Sequence, residues 1–125
     1  MGESRIEVRA TDGKGRGLFA VSSFASGDEI VRCPALVIPQ GHFRAIEPTV
    51  VGDYCFRWGS GAALALGLGS MCNHDHDPNA EVVADEAHVE LVFRAVRGIA
   101  VGEEITIGYR DAGDGRALWF EPRPS

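Results

Sequence analysis

Two separated stretches rich in turn-forming residues constrain the fold of this chain most strongly. They are Leu68–Ala80, with the sequence LGSMCNHDHDPNA, and Gly102–Tyr109, with the sequence GEEITIGY. Neither stretch has apolar residues at helical spacing, and Gly, Asn, Asp or Pro interrupts both of them. Both are therefore predicted to be turns and short strands, which carry chemistry on loops that a rigid sheet holds in place.

Alternating apolar and polar residues predict β-strands in most of the remaining chain. In the second half of a predicted hairpin, Val89, Leu91, Phe93 and Ala95 are expected to face one side of the sheet. Gln40–Thr49 is polar and is predicted to contain at most one short helix. The predicted strands are Arg5–Ala10, Leu18–Val21, Glu29–Val37 with an interruption at Pro34, Val50–Trp58, the hairpin of Ala80–Ala84 with His88–Arg97, and Glu104–Tyr109.

The length of the chain predicts one domain. A chain of 125 residues can bury one core but not two. Its longest apolar run, around Ala62–Leu68, is far shorter than the roughly 20 residues that a membrane span needs, so no membrane partner is expected. No basic and apolar leader opens the chain, and we therefore expect a cytoplasmic protein.

Charge and cysteine content narrow the function classes. The net charge of −6 disfavours binding to a nucleic acid backbone and is compatible with a cationic partner such as a lysine-rich peptide. The three cysteines are odd in number and form no C-x-x-C motif. They predict neither a disulfide framework nor a zinc knuckle, and buried thiols are expected instead.

Three motifs, taken together, resemble the SET-domain lysine methyltransferases. They are GKGRGLFA near the amino terminus, the NH-x-x-x-PN segment from Asn73 to Asn79, and the GEEITIGY segment. The DYCF and ALALGLGS segments are also similar to the compact viral and bacterial members. The resemblance implies a mainly β SET (β-clip) fold of small twisted sheets with a knot-like crossing of the carboxyl-terminal segment. The resemblance covers nearly the whole chain. It implies that residues 1–125 form one SET domain, with a core of about 4–110 and a tail, 111–125, that closes the site.

The same resemblance implies an activity and its catalytic residue. The activity is transfer of a methyl group from S-adenosylmethionine to a lysine amine of a protein or peptide, which leaves S-adenosylhomocysteine and requires no metal. Tyr109 matches the family tyrosine beside the transferring methyl group. Tyr54, Ile107 and Trp119 are expected to line the lysine channel. Ile107 stands where many members keep an aromatic residue, so room for an already methylated amine is expected.

The cofactor residues are also implied by the family. The glycine-rich turn at Thr11–Gly17, called the glycine turn below, is expected to lie against the methionine end of the cofactor. From spacing alone it is equally well a plain hairpin turn. The Asn73 side chain is expected at the amino acid end, and the His74 backbone near the adenine. Glu103 and Glu104 would brace the crossing. The full expected cofactor set is Lys14, Gly15, Arg16, Gly17, Asn73, His74, Tyr109 and Trp119.

Two departures from the family pattern leave alternatives open. Asp75 replaces the usual serine, and Gly108 replaces the usual Asp or Asn before the tyrosine, which permits an inactive SET-like interaction module. A metal-binding domain is a further alternative, since ligand types crowd one window: Cys72, His74, Asp75, His76 and Asp77. The compact viral relatives act as dimers, so a homodimer is also expected from the resemblance.

Overall fold

The computed structural model of the chain describes residues 2–13 and 15–108. Three of the expected site residues, Lys14, Tyr109 and Trp119, lie outside this described part. The expected tail and the knot-like crossing that it would form lie outside it as well. Within the described residues, no helix is long and apolar enough to cross a membrane.

Short β-strands dominate the described part of the chain, as predicted. One α-helix, α1, covers Gln40–Ile46, and short 3-10 helices cover Gly2–Arg5, Val50–Tyr54 and Leu68–Met71. The strands are β1 Ile6–Thr11, β2 Gly15–Ala20, β3 Glu29–Ile38, β4 Phe56–Trp58, β5 Gly61–Ala65, β6 Asn73–His74, β7 Ala80–Asp85, β8 Glu90–Ala95 and β9 Glu104–Ile107.

The strands form a path in which sequence neighbours are often not spatial neighbours. The order is β1-β2-β9-β7-β8-β3-β5-β4, and β6 pairs with β9 beside this path. The predicted hairpin of the second half is confirmed as β7 and β8, which pair antiparallel from Ala80–Ala95 to Asp85–Glu90. Strand β9 is central because it contacts β2, β6 and β7, and so joins the amino-terminal hairpin to the rest of the sheet.

Strand β3 is continuous, so the predicted interruption at Pro34 is wrong. Residues from Glu29 to Pro34 pair with β8, and residues from Ala35 to Ile38 pair with β5. Pro34 therefore lies where the strand exchanges one partner for the other. A proline lacks the N–H that a ladder needs, and a change of partner is a place where a strand tolerates that loss.

The main core lies among β2, β3, β8 and β9. Leu18, Phe93 and Ile105 are completely buried there, and Phe93 packs edge to face against Phe56, with ring centroids 5.8 Å apart. A smaller apolar cluster under α1 contains Ile38, Phe43, Cys55 and Ala62. The prediction of buried thiols is confirmed, because Cys33, Cys55 and Cys72 are all buried and none of them is in a disulfide bond.

Three local predictions are wrong. The first half of the predicted strand Val50–Trp58 is a 3-10 helix, whose turns are closed by the hydrogen bonds from Gly52 N to Thr49 O and from Cys55 N to Gly52 O. Leu68–Met71 is also helical, although no helix was predicted there. Val89 does not face the core: it has φ 54° in the β7–β8 turn and is exposed.

Candidate functional site

The two turn-rich stretches lie side by side, which brings their motifs together. Strand β6 runs parallel to β9, and Asn73 is opposite Thr106 while His74 is opposite Ile107. The Asp75 N–H then donates to the Ile107 carbonyl at 2.9 Å. Because a two-residue strand makes so few ladder bonds, its position depends on this parallel pairing with the end of β9.

The Asn73 side chain joins the glycine turn to both motifs. Its amide nitrogen donates to the carbonyl of Arg16 at 3.0 Å and to the Glu104 carboxylate at 2.8 Å. Gly17 allows this approach, since a Cβ atom there would lie 2.5 Å from Glu104 Oε2 and 2.9 Å from Asn73 Nδ2. A side chain at position 17 would therefore force the Glu104 carboxylate and the Asn73 amide to move from these positions.

A buried amide fixes the second half of the NH-x-x-x-PN motif. Asn79 is 2% exposed, accepts the Thr106 N–H at 2.9 Å and donates to the Glu104 carbonyl at 2.8 Å. It also donates to the Glu103 carboxylate at 3.2 Å. The pKa of Glu103 is lowered, chiefly by the hydrogen bond from the Ala100 N–H and further by Asn79. Glu103 thus acts as an acceptor that holds the backbone of Ala100 in place, and its expected role in bracing the crossing stays a prediction.

A cleft opens beside these motifs, with a volume of about 190 Å³. The helix Val50–Tyr54 forms one side of the cleft, and the motif residues with the end of β9 form the other. Most of the lining is apolar or uncharged. The lining residues are Val50, Asp53, Tyr54, Phe56, Ser70, Cys72, Asn73, His74 and Ile107.

The titratable groups around the cleft respond mainly to burial. Burial lowers the pKa of His74, and the nearby Asp53 carboxylate opposes that shift. Burial likewise raises the pKa of the Cys55 thiol to about 11, and Asp53 adds to this effect. At neutral pH His74 is therefore an uncharged imidazole and Cys55 an uncharged thiol.

The structure brings several of the expected site residues to this one place. Tyr54, Asn73, His74 and Ile107 all line the cleft, and Arg16 is joined to Asn73 through its backbone carbonyl. Gly15 begins β2, one residue before Arg16, with φ 74°. The contribution of Lys14, Tyr109 and Trp119 stays a prediction, because these residues lie outside the described part of the chain.

Sequence reasoning missed Asp53 as a lining residue. In the predicted strand Val50–Trp58, period-two alternation would put Asp53 on the opposite face from Tyr54, whereas both residues line the cleft in the 3-10 helix. Gly52, between two apolar valines and an Asp-Tyr pair, was a signal that this segment could turn. Ser70 and Cys72 were missed because the helix that presents them was not predicted.

Metal-ligating atoms come together elsewhere than in the window of residues 72–77. In the ranges 2–13 and 15–108, the atoms that converge within 4.8 Å belong to Asp85, His88 and Glu90. The Arg32 guanidinium donates to the Asp85 carboxylate at 2.9 Å and to Glu90 at 3.0 Å. The single positive charge of Arg32 is shared between these two carboxylates, which makes the group a surface ion-pair network.

Comparison with known proteins supports the same family as the motifs do. A family model described as SET domain matches residues 15–110. Over 124 residues the chain is 36% identical to a Schizosaccharomyces pombe protein named histone-lysine N-methyltransferase, H3 lysine-37 specific. That match covers 98% of this chain and 81% of the relative.

Longer relatives match over smaller parts of their length. The zebrafish protein-lysine N-trimethyltransferase SMYD5 is 32% identical over 118 residues, which cover 86% of this chain and 26% of that protein. Human histone-lysine N-methyltransferase SMYD3 is 52% identical over 42 residues, or 34% of this chain and 9% of that protein. The matched segments therefore cover about a quarter of SMYD5 and less than a tenth of SMYD3.

The fold has a counterpart among solved structures. A crystal structure of a Plasmodium falciparum protein, provisionally described as a histone methyltransferase, superposes with a TM-score of 0.69. It is 24% identical to this chain, and the match covers 84% of this chain and 92% of that chain. With the family match across most of its length and the fission yeast relative, the chain belongs to the SET-domain family of protein-lysine methyltransferases.

Proposed function

We propose that the chain transfers a methyl group from S-adenosylmethionine to a lysine side chain that enters the cleft beside Asn73 and His74. The observation that carries this proposal is the meeting of three motifs at one side chain. Asn73 is bonded to the glycine turn at Arg16 and to Glu104 of the GEEITIGY segment. Asn73 also lines the cleft, together with residues 50–56 and Ile107, so the place where the motifs meet adjoins the space that a lysine side chain would enter.

The residues present fit the cofactor at its amino acid end. Both hydrogens of the Asn73 amide are used on Arg16 and Glu104. Its Oδ1 atom, to which no donor of the described residues is bonded, is an acceptor for a cationic amino group. Beside it, Gly17 has no side chain that would obstruct a ligand approaching the backbone. These contacts favour the expected assignment of Asn73 and the glycine turn to cofactor binding.

The reaction requires a neutral amine at a close, in-line position. When bound, S-adenosylmethionine supplies a methyl group attached to positively charged sulfur. The amine lone pair forms the new N–C bond while the S–C bond breaks, its electrons stay on sulfur, and the amine proton leaves to water. The chain must hold the reacting atoms at about 3–3.5 Å. The pKa of a free lysine is about 10.4. Apolar side chains such as Phe56 and Ile107, which line the cleft, favour the neutral form of the amine.

Tyr109 is the proposed catalytic residue. It follows Gly108 at the end of the segment whose Ile107 lines the cleft. We assign its hydroxyl to orienting the amine and stabilising the charge that moves in the transition state. Removing one such preorganised group commonly lowers kcat by about 10²–10³.

Tyr109→Phe is the test of this assignment, and Tyr54→Phe is its matched control, since the chain has two tyrosines. We expect Tyr109→Phe to reduce methyl transfer by about 100-fold or more, with cofactor affinity by calorimetry unchanged. Tyr54→Phe, which removes a hydroxyl from the cleft wall, should have a smaller effect. Unchanged transfer by the Tyr109 variant would refute the catalytic role.

The proposed acceptor is a cationic protein, and histone H3 is the first to test. The fission yeast relative is named for histone H3, and the net charge of −6 favours a basic partner. Incubation with isotope-labelled cofactor and histones, or a cell lysate, followed by mass spectrometry would identify modified lysines. Cofactor binding without transfer to any protein would instead favour an inactive interaction module.

Several finer features complete the proposal. We propose that residues 1–125 form a single domain of the compact type found in viral and bacterial members, although the relatives reported above are eukaryotic. Ile107 is proposed to leave room for more than one methyl group, which intact-mass analysis of the product would reveal. A cytoplasmic location and a homodimer also stay proposals, and cell fractionation and light scattering would test them.

A further inference from the structure

Among the residues that the structure describes, the lining of the cleft is neutral except for one carboxylate. Phe56 and Ile107 are buried apolar side chains, Tyr54 is aromatic, and His74 is neutral at pH 7 because burial lowers its pKa. Among the described lining residues, Asp53 is the formally charged one. A single negative charge in such a lining favours a ligand with a positive charge.

The backbone holds Asp53 in this position. Asp53 lies in the last turn of the helix Val50–Tyr54, where Cys55 N donates to Gly52 O at 3.2 Å. Gly52 packs closely against the end of the preceding segment, since a Cβ atom there would lie 2.8 Å from the Glu47 carbonyl carbon. This packing and this hydrogen bond fix the 3-10 turn, and they therefore fix the backbone position of Asp53.

We propose that Asp53 pairs with the ammonium form of the incoming lysine and so positions the side chain and selects it over uncharged ones. This inference rests on the proposed function, because it concerns the acceptor of that same cleft. Asp53 is exposed, so water reaches the pair. An ion pair of this kind binds the substrate while water can still accept the proton of the ammonium group.

The charge of Asp53 has a second consequence for the reaction. A carboxylate close to an amine favours the charged form of that amine and raises its pKa in the complex. The neutral form, which alone attacks the methyl group, is then reached at higher pH. Asp53 is therefore expected to strengthen binding of the lysine substrate and to shift deprotonation of its amine to higher pH. Among the described residues, the other titratable groups that line the cleft are His74, Cys72 and Tyr54, and Cys55 lies close to Asp53 in the chain.

A first measurement tests the placement of the carboxylate. Asp53 raises the pKa of His74 against the effect of burial, so Asp53→Asn should lower that pKa further. The His74 titration can be followed by NMR. Glu86→Gln is the control. Glu86 lies exposed in the β7–β8 turn, so this substitution removes one negative charge at a place away from the cleft. A His74 titration that is unaffected by Asp53→Asn would overturn the proposal.

A second measurement tests selectivity with defined probes. The protein is titrated with n-butylammonium, which matches the lysine head group, and with 1-pentanol, a neutral molecule of similar size. We expect the wild-type protein and Glu86→Gln to bind n-butylammonium about fivefold more tightly, as for an ion pair that water still reaches. Asp53→Asn should abolish this preference. Equal binding of both probes by the wild type, or a preference that survives Asp53→Asn, would overturn the proposal.

Kinetics with a methyl acceptor separate this role from a structural one. Asp53→Asn should raise KM by about fivefold and shift the rise of kcat to lower pH, because the amine loses its proton more easily. A folding defect would lower kcat at every pH and leave the pH profile in place, and this outcome would refute the inference. Absence of methyl transfer by the wild type would refute the proposed function, while the probe titration would still decide the role of Asp53.

Discussion

Gly69 packs directly against the ring of Phe93, and this contact makes Gly69→Ala a sharp test of how the site is supported. A Cβ atom at residue 69 would lie 2.6 Å from Phe93 Cζ and 2.7 Å from Cδ1, and closer still to Cε1. Carbon atoms in contact prefer separations of about 3.5–4.0 Å, so the ring or the turn must move by about 1 Å. Phe93 is completely buried and packs against Phe56, a lining residue of the cleft. The ring therefore has little room to yield.

The expected loss of stability follows from this overlap. Overpacking a core commonly lowers the free energy of unfolding by about 1–3 kcal/mol. Because three ring carbons of Phe93 lie close to the added Cβ atom, we expect Gly69→Ala to lower it by about 3 kcal/mol. Native domains are stable by only about 5–15 kcal/mol. The variant should therefore unfold at a clearly lower urea concentration, with the slope of the transition unchanged.

Two further variants make the experiment decisive. Gly41→Ala is the matched control, since Gly41 lies in α1 with no atom within 4 Å of the added Cβ, and it should stabilise the protein by about 0.5 kcal/mol. Gly69→Ala combined with Phe93→Leu should be less destabilised than the sum of the single changes by about 1–2 kcal/mol, because the ring that clashes is gone. Additive effects, or a loss below about 1 kcal/mol for Gly69→Ala alone, would refute the reasoning.

Two other predictions concern polar groups. Asn79→Ala should reduce the free energy of unfolding by about 3 kcal/mol, because it leaves the Thr106 N–H and other buried groups without a partner; a change below about 1 kcal/mol in urea unfolding would contradict this. The pKa of Asp85 is lowered to about 2 by hydrogen bonds from Arg32 and then His88. Its contribution to stability is therefore present above the ordinary carboxyl pKa and lost as pH falls toward about 2. Arg32→Gln should weaken this acid dependence of the urea midpoint, and an identical dependence in both proteins would rule the linkage out.

Strand alternation was a dependable guide to the core residues of the β7–β8 hairpin. The β7–β8 hairpin lies where the pattern predicted it, and Leu91, Phe93 and Ala95 are buried as expected. Alternation failed at Val89, at the end of the same segment, because a turn residue with φ 54° does not continue the pleat. Period-two patterns describe residues inside a strand and contain no information on where the strand begins.

The segment Val50–Tyr54 shows the limit of local patterns more clearly. Its valines and tyrosine favour a strand by propensity, and the chain forms a 3-10 helix instead. Close packing of Gly52 on the end of the preceding segment and the short turn after α1 override that preference. This difference brings Asp53 into the lining of the cleft together with Tyr54.

By itself, the sequence determined the mainly β class, the buried thiols and the family, because these depend on composition, alternation and motifs in a given order. Only the tertiary structure decided that Asn73 is bonded across 57 residues to Arg16 and across 31 residues to Glu104. It also decided that Asp53 and His74 share one cleft. Contacts between distant residues arise from packing of the whole chain, whereas propensity and periodicity act over only a few neighbouring residues.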